Sequence, residues 1–367
     1  MGSGSSQRMK HPLFPTVAAM LETAVLSNLL GDQITAVSPH PLIAQYNKSG
    51  SHLLRLELNQ GQGPSLILKQ ISPATDWLMR ATNDTRCRSV TLWEHGLLDQ
   101  LPPEIDHAML ACARDGDNWA ILLRDVSADL LPTARFSLAD HELMLAAMAA
   151  LHAAFWGSPR LADPELGLCE LRDVYTMFAP QTGEREGGGT DEVPQRFLEG
   201  WELVKTAVPP DVADTVLTLL HDPAPLCAAL GRYPHTLVHG DWRHANQGIS
   251  RSHPPQLILL DWQLAVAAPP GVELGRGLGT NSALLPVSKE AAIAFYRQEL
   301  ARRLGPCFEA AWWEPQLALG LLGGFVQDGW AIVLKATHWH VGADARAHWQ
   351  ADLAWWAEQV RAGAKWL

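Results

Sequence analysis

Apolar residues along positions 16–30 recur at helical spacing, with Val17, Met20, Leu21 and Val25 on one face and Gly31-Asp32 as the stop. The pattern then shortens. Runs at 34–37, 42–46, 53–58 and 66–69 have strand length, and Asn47-Lys48-Ser49-Gly50-Ser51 reads as the turn between the second and third. A helix is predicted over 85–98 from Val90, Leu92, Trp93 and Leu97, and an apolar strand over 120–123 runs into the connector Arg124-Asp125-Val126-Ser127. From Ser137 the helical period is strong. Ser137 and Asp140 resemble a capping box, Met144, Met148, Leu151 and Phe155 make one stripe, and Gly157-Ser158-Pro159 ends it. His152, beside that stripe, reads as a packed, hydrogen-bonded histidine. Residues 180–195 have no period and read as a mobile loop. Further helices follow around Trp201, Leu203 and Val204 and over 212–220, then an apolar strand ending at Val238 and another over 257–260. The remainder is helical and holds more than half of the 15 tryptophans, for which core packing is the default.

The two late strands carry the chemistry. Each delivers a carboxylate at its C-terminal edge, Asp241 and Asp261, and Asn246 lies five residues after the first. Two carboxylates and an amide oxygen on what read as adjacent strand ends suit Mg²⁺, which prefers oxygen ligands and completes its shell with water and phosphate. Isolated Asp and Asn at strand ends are common as turn formers and caps. The compound pattern is far more specific: His239-Gly240-Asp241, four residues, Asn246, an apolar strand, then Asp261-Trp262-Gln263.

This stretch resembles the aminoglycoside phosphotransferase and choline kinase group of small-molecule kinases, which share the protein-kinase fold. The resemblance implies an α+β, two-lobed chain with a β-rich N-terminal lobe and a larger helical C-terminal lobe. It places the lobes at 16–122 and 128–367, with a hinge at 123–127 and an N-terminal tag and disordered tail at 1–15. It implies ATP and Mg²⁺ as cofactors, Asp241 as the base, Asn246 and Asp261 as metal ligands, and transfer of the γ-phosphoryl group to a small-molecule hydroxyl. Lys69 would anchor the phosphates, Ser49, Gly50 and Ser51 would cover them, and the backbone at Arg124 and Val126 would meet the adenine edge. His239 would fix the catalytic loop, and Glu273 would take the place of an Asp that orients this loop from below. One feature departs from the group: Ser89 stands where relatives carry a Glu that pairs with the lysine, and Glu94 lies more than a helical turn away.

Composition narrows the class further. The 367 residues are 47% hydrophobic, enough for a large core, and 28 basic against 39 acidic residues give a net charge of −11. That argues against a general nucleic-acid binder, which needs basic surface, and is compatible with a cationic acceptor. Asp328 and some of the C-terminal tryptophans are candidates for lining a pocket for such an acceptor. The scattered cysteines, 87, 112, 169, 227 and 307, read as reduced thiols of a cytoplasmic protein without a zinc site. No uninterrupted apolar stretch reaches the length of a membrane span; the nearest, 317–333, is broken by Gln327 and Asp328. An inactive nucleotide-binding sensor and a metal-dependent hydrolase are the alternative readings. The acceptor and the oligomeric state are not legible.

Overall fold

The computed structural model describes residues 11–42, 50–188, 192–339 and 342–367. Its smaller lobe is an antiparallel sheet of β1 (Val37–Pro41), β2 (His52–Leu58), β3 (Leu66–Ile71), β5 (Met109–Asp115) and β6 (Asn118–Arg124), in the order β1-β2-β3-β6-β5. The short β4 (Ile105–Asp106) leaves this sheet to pair with the larger lobe. Leu56, Leu58, Leu66, Leu68, Ala120 and Leu122 alternate inward and form a core with Met20 and Leu26 from the preceding helices.

Several expectations are corrected here. The single helix of 16–30 is two, α1 (Val17–Met20) and α2 (Thr23–Leu30), because Glu22 takes an extended ψ of 135° between them. The strand expected over 34–37 is displaced to β1, whose Pro39 and Pro41 confine it to the sheet edge, where a missing donor costs nothing; of the strand expected over 42–46, all but Leu42 lies outside the described residues. Residues 11–15, expected in a disordered tail, pack on the sheet. Phe14 exchanges backbone hydrogen bonds with Cys112 (3.0 Å) and Arg114 (2.9 Å), and the His11 ring stacks on Trp93. The helix expected over 85–98 is the shorter α4 (Arg88–Glu94), and it is preceded by the unforeseen α3 (Trp77–Ala81).

The larger lobe is helical. In chain order it holds α5 (Leu138–Ala154), α6 (Leu171–Thr176), α7 (Pro180–Glu186), α8 (Val193–Ala207), α9 (Pro210–His221) and α10 (Ala224–Leu230). Beyond the two late strands come α11 (Pro270–Thr280), α12 (Lys289–Leu304), α13 (Ala310–Thr337) and α14 (Ala343–Ala364). Ser137 caps α5 as its spacing predicts, its hydroxyl accepting from the Asp140 amide at 3.0 Å. Where a loop was expected at 180–195, the described residues form α7 and the start of α8. Pro180 starts α7, Gly183 lets it approach Leu198 of α8, and Glu186 is buried in ion pairs with Arg80 and Arg185. Arg80 lies 106 residues before Glu186 and Leu198 lies on the next helix, so local periodicity carried no trace of either contact.

The long α13 is apolar enough by length and composition to cross a membrane, yet 89% of its most apolar window is buried inside the protein. It is the core of this lobe, crossed by α8, α11 and α14. The crossing with α11 is very close. A Cβ on Gly275 would meet the Gly320 carbonyl oxygen at 2.3 Å, and one on Gly324 would meet the Gly275 backbone at 2.7 Å. This close approach brings Arg276 of α11 against Asp328 of α13.

Candidate active site

Two small ladders position the motif. β7 (Thr236–Val238) pairs with β10 (Val266–Ala268), whereas β9 (Gln256–Leu259) pairs with β8 (Gln247–Ser250) and, in parallel, with β4. The strands bearing Asp241 and Asp261 are thus not neighbours in one sheet, as their spacing suggested. A side chain joins them instead: the His239 ring Nε2 lies 2.9 Å from the Leu260 carbonyl oxygen. The turn after β7 needs Gly240, whose φ is +83° and whose missing Cβ would meet the Leu264 carbonyl at 2.3 Å. Beneath it, the buried Glu273 accepts from the backbone N–H groups of His239 (2.5 Å) and Gly240 (3.1 Å). That is the orienting part expected of it. His152 is fully buried and bonds the Tyr296 hydroxyl at 2.5 Å, so it is a packed histidine as anticipated.

Asp241 is enclosed by donors. Its Oδ1 accepts from Arg276 Nη2 (2.8 Å), and its Oδ2 from Arg243 Nε (3.0 Å) and Asn246 Nδ2 (2.7 Å). Burial alone would raise the pKa of this carboxyl, but the charges of Arg243 and Arg276 outweigh it and hold Asp241 well below the usual carboxylate range.

Asn246 follows one short turn, and its backbone carbonyl accepts from the Leu260 amide at 2.9 Å, which fixes it beside Asp261. Its amide nitrogen is used on Asp241, leaving the amide oxygen for a cation. Asp261 adopts a left-handed backbone, with φ of +63°. Its Oδ2 pairs with Lys69 Nζ at 2.9 Å, while its Oδ1 is buried with no hydrogen-bond partner. An orphaned carboxylate oxygen beside an amide oxygen fits a hard divalent cation. Among the described residues no group of three His, Cys, Asp or Glu forms a cage, so phosphate oxygens and water would complete the shell.

The partner of Lys69 is therefore Asp261, not Ser89 or Glu94. Burial disfavours the charge of Lys69, and Asp261 more than offsets this, with a further contribution from Asp76. Asp76 was missed in the sequence. It caps α3, accepting from the Met79 amide at 2.9 Å, and also accepts from the Gln263 side chain at 3.2 Å. Burial raises its pKa, opposed by the Met79 amide and by Lys69. A visible signal was an Asp directly before the apolar run Trp77-Leu78-Met79. Arg88 of α4 reaches the same motif, donating to the Gln263 carbonyl oxygen.

These groups meet in one cavity of about 700 Å³ between the lobes. One side of it is apolar, with Leu53, Ile67, Leu123 and Leu260, and includes Ser51, Lys69, Arg124 and Val126. The Arg124 side chain turns to Asp106, so a nucleotide there would meet its backbone. Gly50, φ +98°, packs against the Thr75 carbonyl and does not line the cavity. Ser49 lies outside the described residues. The other side has Phe178, Val193, Trp330, Ile332, Lys335 and Trp339, with Arg243, Arg276 and Asp328. Arg276, also unforeseen, bridges Asp241 and Asp328, with its guanidinium 5.5 Å from the Phe178 ring. Its place one turn after Glu273 on α11 was the available clue.

Residues 137–311, which carry the whole motif, match the model of the APH family, described as the phosphotransferase enzyme family. No curated protein matches the chain. Among solved structures, a microcompartment-associated aminopropanol kinase is 13% identical, with 94% of this chain and 100% of that one covered at a TM-score of 0.50. An ethanolamine kinase from Plasmodium vivax is 12% identical over 92% of this chain and 85% of its own, TM-score 0.49. Choline kinase from Streptococcus pneumoniae is 14% identical over 92% and 97%, TM-score 0.47. The chain has the kinase-like two-lobed fold, and the family match supports a small-molecule phosphotransferase.

Proposed function

We propose that this chain transfers the γ-phosphoryl group of ATP to a hydroxyl of a small molecule. The observation that carries the reading is the convergence of Lys69, Asp241, Asn246 and Asp261 on one cavity that is also lined by Leu123, Arg124 and Val126. Lys69 binds phosphate oxygens. Asn246 and the free oxygen of Asp261 hold Mg²⁺, which when bound neutralises charge on the phosphates. Asp241 orients the acceptor hydroxyl. Held at a low pKa by two arginines, it is a weak base, so it receives the hydroxyl proton late, once the oxygen has begun to bond phosphorus. That suits the loose transition state of phosphoryl transfer, in which positioning and electrostatics do most of the work. Arg243, already on the Asp241 carboxylate, supplies positive charge where the transferring group passes.

The expected acid group for Lys69 is replaced by Asp261 and Asp76, which removes the main support for an inactive sensor. The test is ADP formation with Mg-ATP across panels of hydroxylated small molecules, alongside calorimetric ATP binding. A protein that binds no Mg-ATP and releases no ADP with any acceptor is not a kinase.

A further inference from the structure

The acceptor half of the cavity contains a cation that nothing yet described employs. Asp328, Ala331, Ile332 and Lys335 follow one another at helical spacing along α13, and they and Trp339, two residues beyond its end, line the cavity. Lys335 stands two turns beyond Asp328, about 10 Å along the axis at 1.5 Å per residue. Its Nζ rests 4.2 Å from the centroid of the Trp349 ring. The carboxylates whose fields reach it are Asp328 and Asp352, and both are already paired, Asp328 with Arg276 and Asp352 with Lys289. Among the described residues Lys335 forms no ion pair of its own. Burial accordingly pushes its ammonium below the ordinary lysine value, opposed only by those two carboxylates at a distance.

Charges around the acceptor space follow the same pattern. Arg243, Arg276 and Lys335 face Asp241 and Asp328, and both of these carboxylates are already paired with arginines. An ammonium acceptor entering here would meet three cations against two carboxylates, of which only Asp328 Oδ2 lacks a hydrogen-bond partner, so the balance of charge is repulsive. An anion meets the opposite. The same cavity that holds Asp241 and Lys335 is also lined by the apolar Phe178, Trp330 and Ile332. We propose that the acceptor is a hydroxylated carboxylate with an apolar body, its hydroxyl at Asp241 and its carboxylate at Lys335. The proposal rests on the kinase reading for the hydroxyl end only, and it reverses the cationic acceptor that net charge and tryptophan content suggested.

The probes are ω-hydroxy carboxylates of graded chain length, their methyl esters, and amino alcohols of matching length. Each is tested for ADP formation and for calorimetric binding, with and without a non-hydrolysable ATP analogue. The proteins are wild type, Lys335→Met and Lys335→Arg, with thermal melting to verify folding. The expected result is that carboxylates bind and turn over best. Lys335→Met should raise their KM or Kd at least about tenfold, as loss of one partner of a desolvated charge pair does. It should leave the ester values and the KM for ATP unchanged, and Lys335→Arg should restore affinity. Carboxylates that fail to bind, carboxylate binding indifferent to Lys335→Met, or preference for amino alcohols would each overturn the proposal. Carboxylate binding through Lys335 without ADP formation would instead sink the kinase reading and leave this site standing. ADP formation with amino alcohols alone would do the reverse.

Discussion

The two halves of the cavity manage charge in opposite ways. On the nucleotide side a single lysine, Lys69, is matched by Asp261 and supported by Asp76, within a wall of Leu53, Ile67, Leu123 and Leu260. On the acceptor side five charged groups crowd together, and Arg276 is shared between two carboxylates on different elements. The first half is built mainly from strands and the turns beside them, so local sequence spacing describes much of it. The second half is built where helices cross, and it depends on glycines that allow α11 and α13 to touch. A phosphate-binding half reads a ligand that is always the same. An acceptor-binding half is free to vary, and here it has become more basic than the overall charge of −11 implies.

The largest expected effect comes at the residue both halves share. Asp241→Asn keeps the size of the side chain but removes its charge. It should lower kcat by about 10²–10⁴, the usual contribution of a positioned proton acceptor, while Mg-ATP affinity stays near wild type. Single-turnover rates with a saturating acceptor check this, and unaltered turnover removes Asp241 from the role.

Arg276→Met breaks the acceptor half alone. It leaves Asp241 and Asp328 buried with one cation fewer, and breaking such a buried network costs about 3–5 kcal/mol of stability. Urea unfolding should register the loss, and adding Asp328→Leu should recover part of it. A single variant as stable as wild type would mean that the bridge contributes nothing.

Asp261→Ala strikes the nucleotide half. Loss of the orphaned oxygen and of the Lys69 partner should weaken Mg-ATP binding and turnover together. Mg²⁺ titration curves that superimpose on those of wild type would contradict a metal-ligand role.

A pH profile sharpens the contrast. The folded pKa of Asp241 lies below its unfolded value, so the stability it contributes is full above the ordinary Asp pKa of about 3.9 and disappears as pH falls through the depressed folded value. Protonation of Asp241 should therefore set no acidic limb of kcat/KM in the usual carboxylate range. Arg243→Gln, which removes one of the two arginines, should move that limb upward. A limb that stays in place in this variant would show that Arg243 does not control the carboxylate.

The smallest effects belong around Lys69. Asp76→Asn should raise the KM for ATP a few-fold, whereas Glu94→Gln should do little, because Glu94 has no ion pair with the lysine among the described residues; an exposed pair is worth at most about 1 kcal/mol. A large rise for Glu94→Gln with none for Asp76→Asn would invert the assignment.

The chain by itself determined the loop proposed to carry the chemistry. His239, Gly240, Asp241, Asn246 and Asp261 lie within one short stretch, and their placement follows from contacts between near neighbours: a glycine turn, a strand, a hydrogen bond beside a ladder. Glu273 was legible for the same reason, since it sits on the first turn of the helix that follows. The partner of Lys69 was not. The sequence offered Ser89 and Glu94 on the expected helix, but the lysine meets Asp261 from the other lobe and the field of Asp76 from the loop after its own strand. Nor could spacing tell that the glycines around 183 belong partly to a packed helix, or that Asp328 would be neutralised by a residue 52 positions earlier in the chain. Periodicity reports which face of an element is buried, but not which element buries it. Only the crossing of α11 with α13 set Arg276 on Asp328, and only that pairing left Lys335 as the surplus charge of the acceptor space.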